Sequence, residues 1–353
     1  MNMPENYIIP DNFICPAFTV KDGTIDRVNE GAARRGFVPG TKISSLIQSG
    51  STEYSAYTSG ILCLPLQISG NKFIASVGFI ENQQVFCLES DYEESELRAF
   101  ALAAQELRAP LSNALSQTAQ ILPLQQDSDA ASSAAKLNRN LHQLLRAVCN
   151  MSDAAMYTNP NCANMQLHNA GWFFHELFEK AKDFIQQSGR DLTYSLPNKE
   201  LSCCIDKEKV ERAVFNLISN AIKFSPKDDI VHISVEHRNN RLFFTIKNKV
   251  SQPSPFATNN FFNRFVREPG LEDPRNGIGL GMSIVRSVAI MHNGTLLIEN
   301  RDDSICVTMT IDASIPKGVI LRSPIILPTD YAGGYDHAAT ELADILPESL
   351  YTE

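Results

Sequence analysis

From Tyr92 to Pro123 the chain reads YEESELRAFALAAQELRAPLSNALSQTAQILP, without a single glycine. Leu97, Phe100, Ala101, Ala104, Leu107, Leu111 and Leu115 recur there at spacings of three and four. That period places them on one stripe of a long α-helix. Pro110 lies within the stripe; it has no N–H to give and is expected to bend the helix. Pro123 and the following QQDSD predict a turn. A second amphipathic helix follows, with Leu137, Leu141, Leu144, Leu145 and Val148 on one face. Two antiparallel helices form a thin hairpin that cannot bury a full apolar stripe alone. Pairing with a second copy into a four-helix bundle, hence a homodimer, is the expected remedy.

The regions on either side have a different texture. Within 13–90, the β-like runs FTV and IDRV flank a Lys-Asp-Gly turn, and EGAARRGF suggests a helical turn. Three further strands follow in ILCLPLQISGNKFIASVGFIENQQVFCLES, with turns at Ser-Gly-Asn and Glu-Asn. From Met165 to Ile311, helical and extended segments alternate. WFFHELFEKAKDFIQQSG predicts a helix closed by Gly189, DLTYSL and LSCCI predict strands, and DKEKVERAVFNLISNAIKFSP predicts a helix N-capped by Asp206. A hairpin turning at Asn239-Asn240, a helix ended by Gly294 and a closing hairpin complete an α/β sandwich, expected as one mixed sheet with helices on one face. The expected division is 1–90, 91–160, 165–313 and a tail, 314–353.

Composition narrows the function classes. The 353 residues carry a net charge of −9, which argues against a nucleic-acid surface. No apolar run approaches the length of a membrane span, and MNMPENYIIPDNF lacks a basic region followed by an apolar one, so a cytoplasmic protein is expected. The eight cysteines include no C-x-x-C pair, and reduced, mostly buried thiols are expected.

Three segments hold the chemistry. In NLISNAIKFSP (216–226), Asn216, Asn220 and Lys223 share one helix face. In NGIGLGMSIVRSVAIMHNG (276–294), Gly277, Gly279, Leu280 and Gly281 open a helix whose start offers N–H groups and a positive dipole end. In ELRAPL (106–111), Glu106 follows Gln105 on the first hairpin helix.

The first two segments, with FFNRFVR (261–267) between them, resemble the N, F and G2 boxes of histidine-kinase-type ATP-binding domains of the GHKL superfamily. ELRAPL resembles the H box of the dimerisation and phosphotransfer hairpin, which in that family reads His-Glu-Leu-Arg-Thr-Pro-Leu. Residues 13–90, through IDRVNEGAARRGFVPGTKI, resemble a PAS sensor domain. The resemblance implies a sensor histidine kinase that binds ATP and Mg²⁺. Asn220 would offer its amide oxygen to the metal, Lys223 its charge to phosphates, and the glycines close backbone approach.

The departures bear on activity. Gln105 stands where the family has its phosphate-accepting histidine, and a carboxamide nitrogen is not a usable nucleophile. Ala109 replaces the H-box threonine. Asn248, Val250 and Gln252 stand at the Asp-x-Gly-x-Gly positions of the G1 box; Asn248 forfeits the charge-assisted part of an adenine contact, about 1 kcal/mol. The N box has no acidic residue to serve as the general base of a GHKL ATPase. The expectation is a degenerate kinase that regulates a response regulator or another kinase by nucleotide occupancy or conformation. The alternative is an active kinase using another acceptor, such as His142, or a partner's histidine. His292 is expected to pack or cap, and the tail, with Leu342, Ile345 and Leu346 on a short helix, to dock on a neighbouring domain.

Overall fold

The computed structural model describes residues 15–80, 83–88, 91–122, 128–156, 163–197, 201–250, 280–301, 303–315, 331–332 and 334–352; for 91–98, 100, 128 and 154–156 it describes backbone alone. Strands β1 (Ala17–Lys21) and β2 (Thr24–Val28) meet at Asp22 and Gly23, both at positive φ, as the Lys-Asp-Gly turn requires. Asn29 caps α1 (Glu30–Arg34) by accepting the Ala32 N–H at 2.9 Å, and the same oxygen accepts the Ala17 N–H. After α2 (Ser51–Ala56), strands β3 (Ile61–Ile68), β4 (Asn71–Ile80) and β5 (Gln83–Leu88) complete an antiparallel sheet in the order β2-β1-β5-β4-β3. Stacked Phe18, Phe37 and Phe86 and the inward Leu62, Leu64 and Leu66 fill its core.

The hairpin follows as α3 (Asp91–Ile121), assigned without a break through Pro110, and α4 (Ser128–Met156). The structure divides the apolar residues that the sequence grouped as one stripe. Ala104, Leu111 and Leu115 face Leu145, Val148 and Cys149 across the hairpin. Leu107, Leu137 and Leu144 stay 50%, 52% and 54% exposed. An apolar stripe broader than one helix contact has two edges, and only one can turn inward in a single hairpin. The side chains of Leu97 and Phe100, and Pro123 with most of QQDSD, lie outside the described residues.

The C-terminal sheet domain comprises β6 (Gln166–Asn169), α5 (Ala170–Gln187), β7 (Asp191–Ser195), β8 (Ser202–Ile205), α6 (Lys207–Phe224), β9 (Ile230–Arg238), β10 (Arg241–Lys249), α7 (Gly281–Met291), β11 (Leu296–Arg301) and β12 (Ser304–Asp312). Its main sheet runs β11-β12-β10-β9-β7, antiparallel except for the parallel pair β7–β9. Helices α5, α6 and α7 bury Phe174, Phe178, Phe215, Ile284 and Val288 against the inward Val231, Ile233, Phe244, Ile246, Val307 and Met309. Asn239 and Asn240 make the expected hairpin turn, both at positive φ.

Three expectations need correction. LSCCI does not join the mixed sheet: β8 pairs with β6, a short polar strand with no alternation to betray it, in a separate two-stranded sheet. Helix α7 ends through Asn293 at φ 52°; Gly294 is needed for closeness instead, since a Cβ there would lie 1.7 Å from the Thr310 carbonyl oxygen. The tail helix α8 (His337–Glu341) stops before Leu342, so Leu342, Ile345 and Leu346 follow it in turns while still packing on the C-terminal core.

The larger surprise is continuity. β3 pairs with β11, joining both sheets into one of ten strands, β2-β1-β5-β4-β3-β11-β12-β10-β9-β7. The register sets Cys63, Leu62 and Ile61 opposite Leu296, Leu297 and Ile298. Leu297 packs on the N-terminal core, and Cys63 belongs to the C-terminal one. Glu53 and Arg241 close the seam with a 2.5 Å ion pair. Among the described residues, no helix is long and apolar enough to cross a membrane.

Candidate functional site

Helix α6 carries the first chemistry-bearing segment. Asp206 caps it by accepting the Lys209 N–H at 3.2 Å. The Asp206 N–H donates to His292 Nε2 at 3.0 Å, so His292 bonds the Val288 carbonyl through Nδ1–H. Burial lowers the His292 pKa, which favours this neutral tautomer. The start of α6 is thereby tied to the end of α7, and His292 has the packing role expected of it.

Asn216 is buried; Asn220 and Lys223, one and two turns on, are half-buried on the same face. The Lys223 ammonium lies 5.5 Å from the Phe224 ring centroid. Asn216 Nδ2 donates to the Arg212 carbonyl at 2.9 Å, and its Oδ1 faces the opening turn of α7. A Cβ on Gly281 would stand 2.6 Å from that oxygen, so only glycine lets the α7 start come this near α6. The residue preceding α7 is Leu280, whose side chain cannot cap, and the first turn of a helix has N–H groups without intrahelical partners. These donors beside Asn216 suit an anion such as a phosphate. Asn220 is a hard amide-oxygen donor suited to Mg²⁺ that arrives with a nucleotide and keeps most of its ligands as phosphate and water. Among the described residues no group of three His, Cys, Asp or Glu is set to hold a metal on its own.

Asn248 lies near the end of β10, buried, with Nδ2 donating to the Lys249 carbonyl at 2.9 Å. The Val250 N–H donates to the Asp303 carbonyl at 2.9 Å. Gly277, Gly279, Gln252 and the FFNRFVR segment lie outside the described residues.

On α3, Gln105, Glu106 and Ala109 are exposed, while the Arg108 guanidinium donates to the Tyr331 carbonyl of the tail. His142 on α4 is 7% exposed; its Nδ1 is 3.1 Å from Thr340 Oγ1, and its ring packs against Tyr335 and Tyr351. Burial pushes its pKa down to about 4. An imidazole so enclosed is not placed to accept a phosphoryl group.

Residues 205–315 match the model of the histidine kinase-, DNA gyrase B- and HSP90-like ATPase family. The chain is 28% identical over 220 residues to hybrid signal transduction histidine kinase D of Dictyostelium discoideum, covering 60% of this chain and 14% of that protein. It is 30% identical over 203 residues to the probable sensor protein PcoS of Escherichia coli, covering 56% of this chain and 42% of that one. Residues 205–315 thus form an ATPase domain of that family, and the relatives matched are named sensor histidine kinases and sensor proteins. The chain spans less than half the length of either relative. Among solved structures, full-length ShkA in complex with AMPPNP shares the fold over 62% of this chain and 46% of that one, with a TM-score of 0.51 and 16% identity.

One cluster beside the family's N box escaped the sequence reading. Glu341, from the tail, is fully buried between Arg212 of α6 and Arg146 of α4. Its Oε1 accepts from Arg212 Nη1 at 2.8 Å, and its Oε2 lies 3.5 Å from Arg146 Nε. Asp344 pairs with Arg146 Nη1 at 2.5 Å, Asp153 pairs with Arg212 Nε, and Arg212 covers the Tyr331 ring. A clue was available: Arg212 sits four residues before Asn216, a charge on the same helix face.

Proposed function

We propose that this chain is a degenerate sensor histidine kinase that regulates a two-component partner through nucleotide occupancy and conformation rather than by donating its own phosphoryl group. One observation carries the reading. The junction of Asn216 with the α7 start is intact, while the acceptor position, on an exposed face of α3, is a carboxamide. ATP would lie with its phosphates between α6 and α7, held by Asn216, Asn220, Lys223, Leu280–Gly281 and the preceding Gly277 and Gly279, with Mg²⁺ on Asn220 and the adenine toward Asn248. Bound nucleotide would supply a triphosphate that orders the α6–α7 junction. Glu106, which in the family assists the histidine, has no imidazole to serve.

The antiparallel five-stranded sheet of the N-terminal region supports a PAS-like sensor. The exposed Leu107, Leu137 and Leu144 support a four-helix bundle formed with a second copy. We read the chain as a cytoplasmic homodimer of four parts, 1–90, 91–160, 165–313 and 314–353, with a response regulator or another kinase as partner.

Two measurements test this. Incubation with γ-labelled ATP and Mg²⁺ should leave the chain unlabelled; label that disappears on His142→Ala would establish the active-kinase alternative. ATP should bind, more weakly in Asn220→Ala, and an affinity indifferent to that substitution would remove the nucleotide site from the proposal.

A further inference from the structure

The tail ties three elements together. Asn138 Nδ2 donates to the Tyr351 carbonyl, Arg139 Nε and Gln143 Nε2 to the Ala343 carbonyl, and Cys149 Sγ to the Tyr331 carbonyl. Lys180 of α5 pairs with Asp336, and His337 meets Glu211 of α6. At the centre lies Arg146, 6% exposed, with each part of its guanidinium given a separate direction. Nε faces Glu341, Nη1 faces Asp344, and Nη2 lies 3.4 Å from Asn216 Oδ1. Two tail carboxylates therefore hold two of the three guanidinium nitrogens, and the third is turned toward the N box, beside the α7 start.

We propose that Arg146 is a phosphate-binding residue contributed by the hairpin and positioned by the tail, and that it reads the terminal phosphate of the nucleotide. The inference rests on the nucleotide reading above. With the adenine toward Asn248 on β10 and the phosphates toward α7, the phosphate farthest from the base lies nearest the hairpin, where Arg146 enters. With the planar guanidinium held by Glu341 and Asp344, Nη2 stays in place and can exchange its weak 3.4 Å contact with the Asn216 amide for a phosphate oxygen that comes to it. Tail docking and ATP binding then favour each other, and by linkage the effect is reciprocal. ADP, one phosphate shorter, lies outside this coupling. The tail thus makes the hairpin sensitive to the difference between ATP and ADP without any phosphoryl transfer.

The test compares affinities for ATP and ADP, each with Mg²⁺, in the full chain. Arg146→Ala should weaken ATP binding by roughly 10- to 100-fold, the usual effect of losing a charge-assisted bond, and leave ADP binding within about threefold. Asp344→Asn, at the half-exposed end of the cluster, preserves the fold and should weaken ATP alone in the same direction. In the wild type, ATP but not ADP should slow amide exchange across 331–352. Equal losses for both nucleotides, no loss for either, or faster tail exchange with ATP would overturn the proposal. Failure of the wild type to bind any nucleotide would retire the nucleotide reading itself, a result distinct from binding without discrimination.

Discussion

Gly60→Ala tests whether the ten-stranded sheet is a real joint between the two sheet domains. Gly60 has φ +83°, and a Cβ there would sit 2.1 Å from the Ile298 carbonyl oxygen on β11. Alanine in the left-handed region costs about 1–2 kcal/mol. The contact is with backbone, so no rotamer change relieves it, and β11 must retreat by about 1 Å to reach the 3.0 Å floor for such contacts. That movement stretches hydrogen bonds of ordinary length beyond 3.5 Å. Three residue pairs make the joint. Losing two or three bonds at about 1 kcal/mol each brings the total to roughly 3–5 kcal/mol. Amide exchange in peptides covering 61–68 and 296–301 should then accelerate by roughly 100- to 4000-fold. The β9–β10 pair serves as an unchanged internal control. Gly23→Ala separates the causes, because Gly23 also has positive φ (+72°) but nothing within 4 Å of its added Cβ. It should cost the conformational term and leave β11 protected. Acceleration of less than about fivefold in Gly60→Ala would mean that β3 and β11 are not paired in solution.

Other consequences follow from the same geometry. Burial lowers the pKa of His142, to about 4, and of His168 and His292. The unfolded chain therefore binds more protons below about pH 6.5, so the stability these groups supply above that pH is lost as pH falls, the His142 share by about pH 4. His142 alone accounts for at most about 3 kcal/mol. Urea midpoints at pH 7 and pH 4.5 should lie closer together in His142→Gln than in the wild type. Leu137→Glu with Leu144→Glu should shift the chain from dimer to monomer in light scattering. Four half-exposed leucines per dimer at about 1 kcal/mol each amount to roughly 1000-fold in the dimer dissociation constant, and ATP affinity should not change.

Elements were legible in the sequence where local chemistry decides them. Asp206 before α6, the Asn239-Asn240 turn and the three-four periodicity of α3 and α4 all state their structure within a few residues. What could not be read depends on distant partners. Nothing around Ile61 or Leu296 announces that two strand edges will meet, because an edge strand and an inner strand have the same alternation. Likewise Glu341 sits in HAATEL, an unremarkable amphipathic segment, and becomes a buried anion only when Arg146 and Arg212 arrive from 195 and 129 residues away. The shared helix face of Asn216, Asn220 and Lys223 was readable in their spacing, since helix-face geometry is local. Its electrostatic surroundings were not, since they come from the hairpin and the tail.

Placing a histidine at position 105 is informative because of how firmly the C-terminal sheet domain is held. In this arrangement the N box meets α4 through Arg146, while Gln105 stands exposed on α3. Delivery of a phosphoryl group to position 105 therefore requires the domain to release its grip on the hairpin. Parting β3 from β11 costs about 2–3 kcal/mol, and separating Glu341 from its buried arginines about 3–5 kcal/mol. A sum of roughly 5–8 kcal/mol leaves the released state below about one molecule in several thousand. Gln105→His alone should thus gain only a trace of acid-labile label from γ-labelled ATP. Combined with Gly60→Ala and Glu341→Ala it should gain at least about 100 times more when each variant is assayed at ATP concentrations that saturate it. Strong labelling of the single variant would refute the argument, because it would mean that the joints seen here do not restrain the domain. A combined variant that binds ATP and stays unlabelled would place the remaining defect in the chemistry at Ala109 and the G1 positions rather than in the fastening.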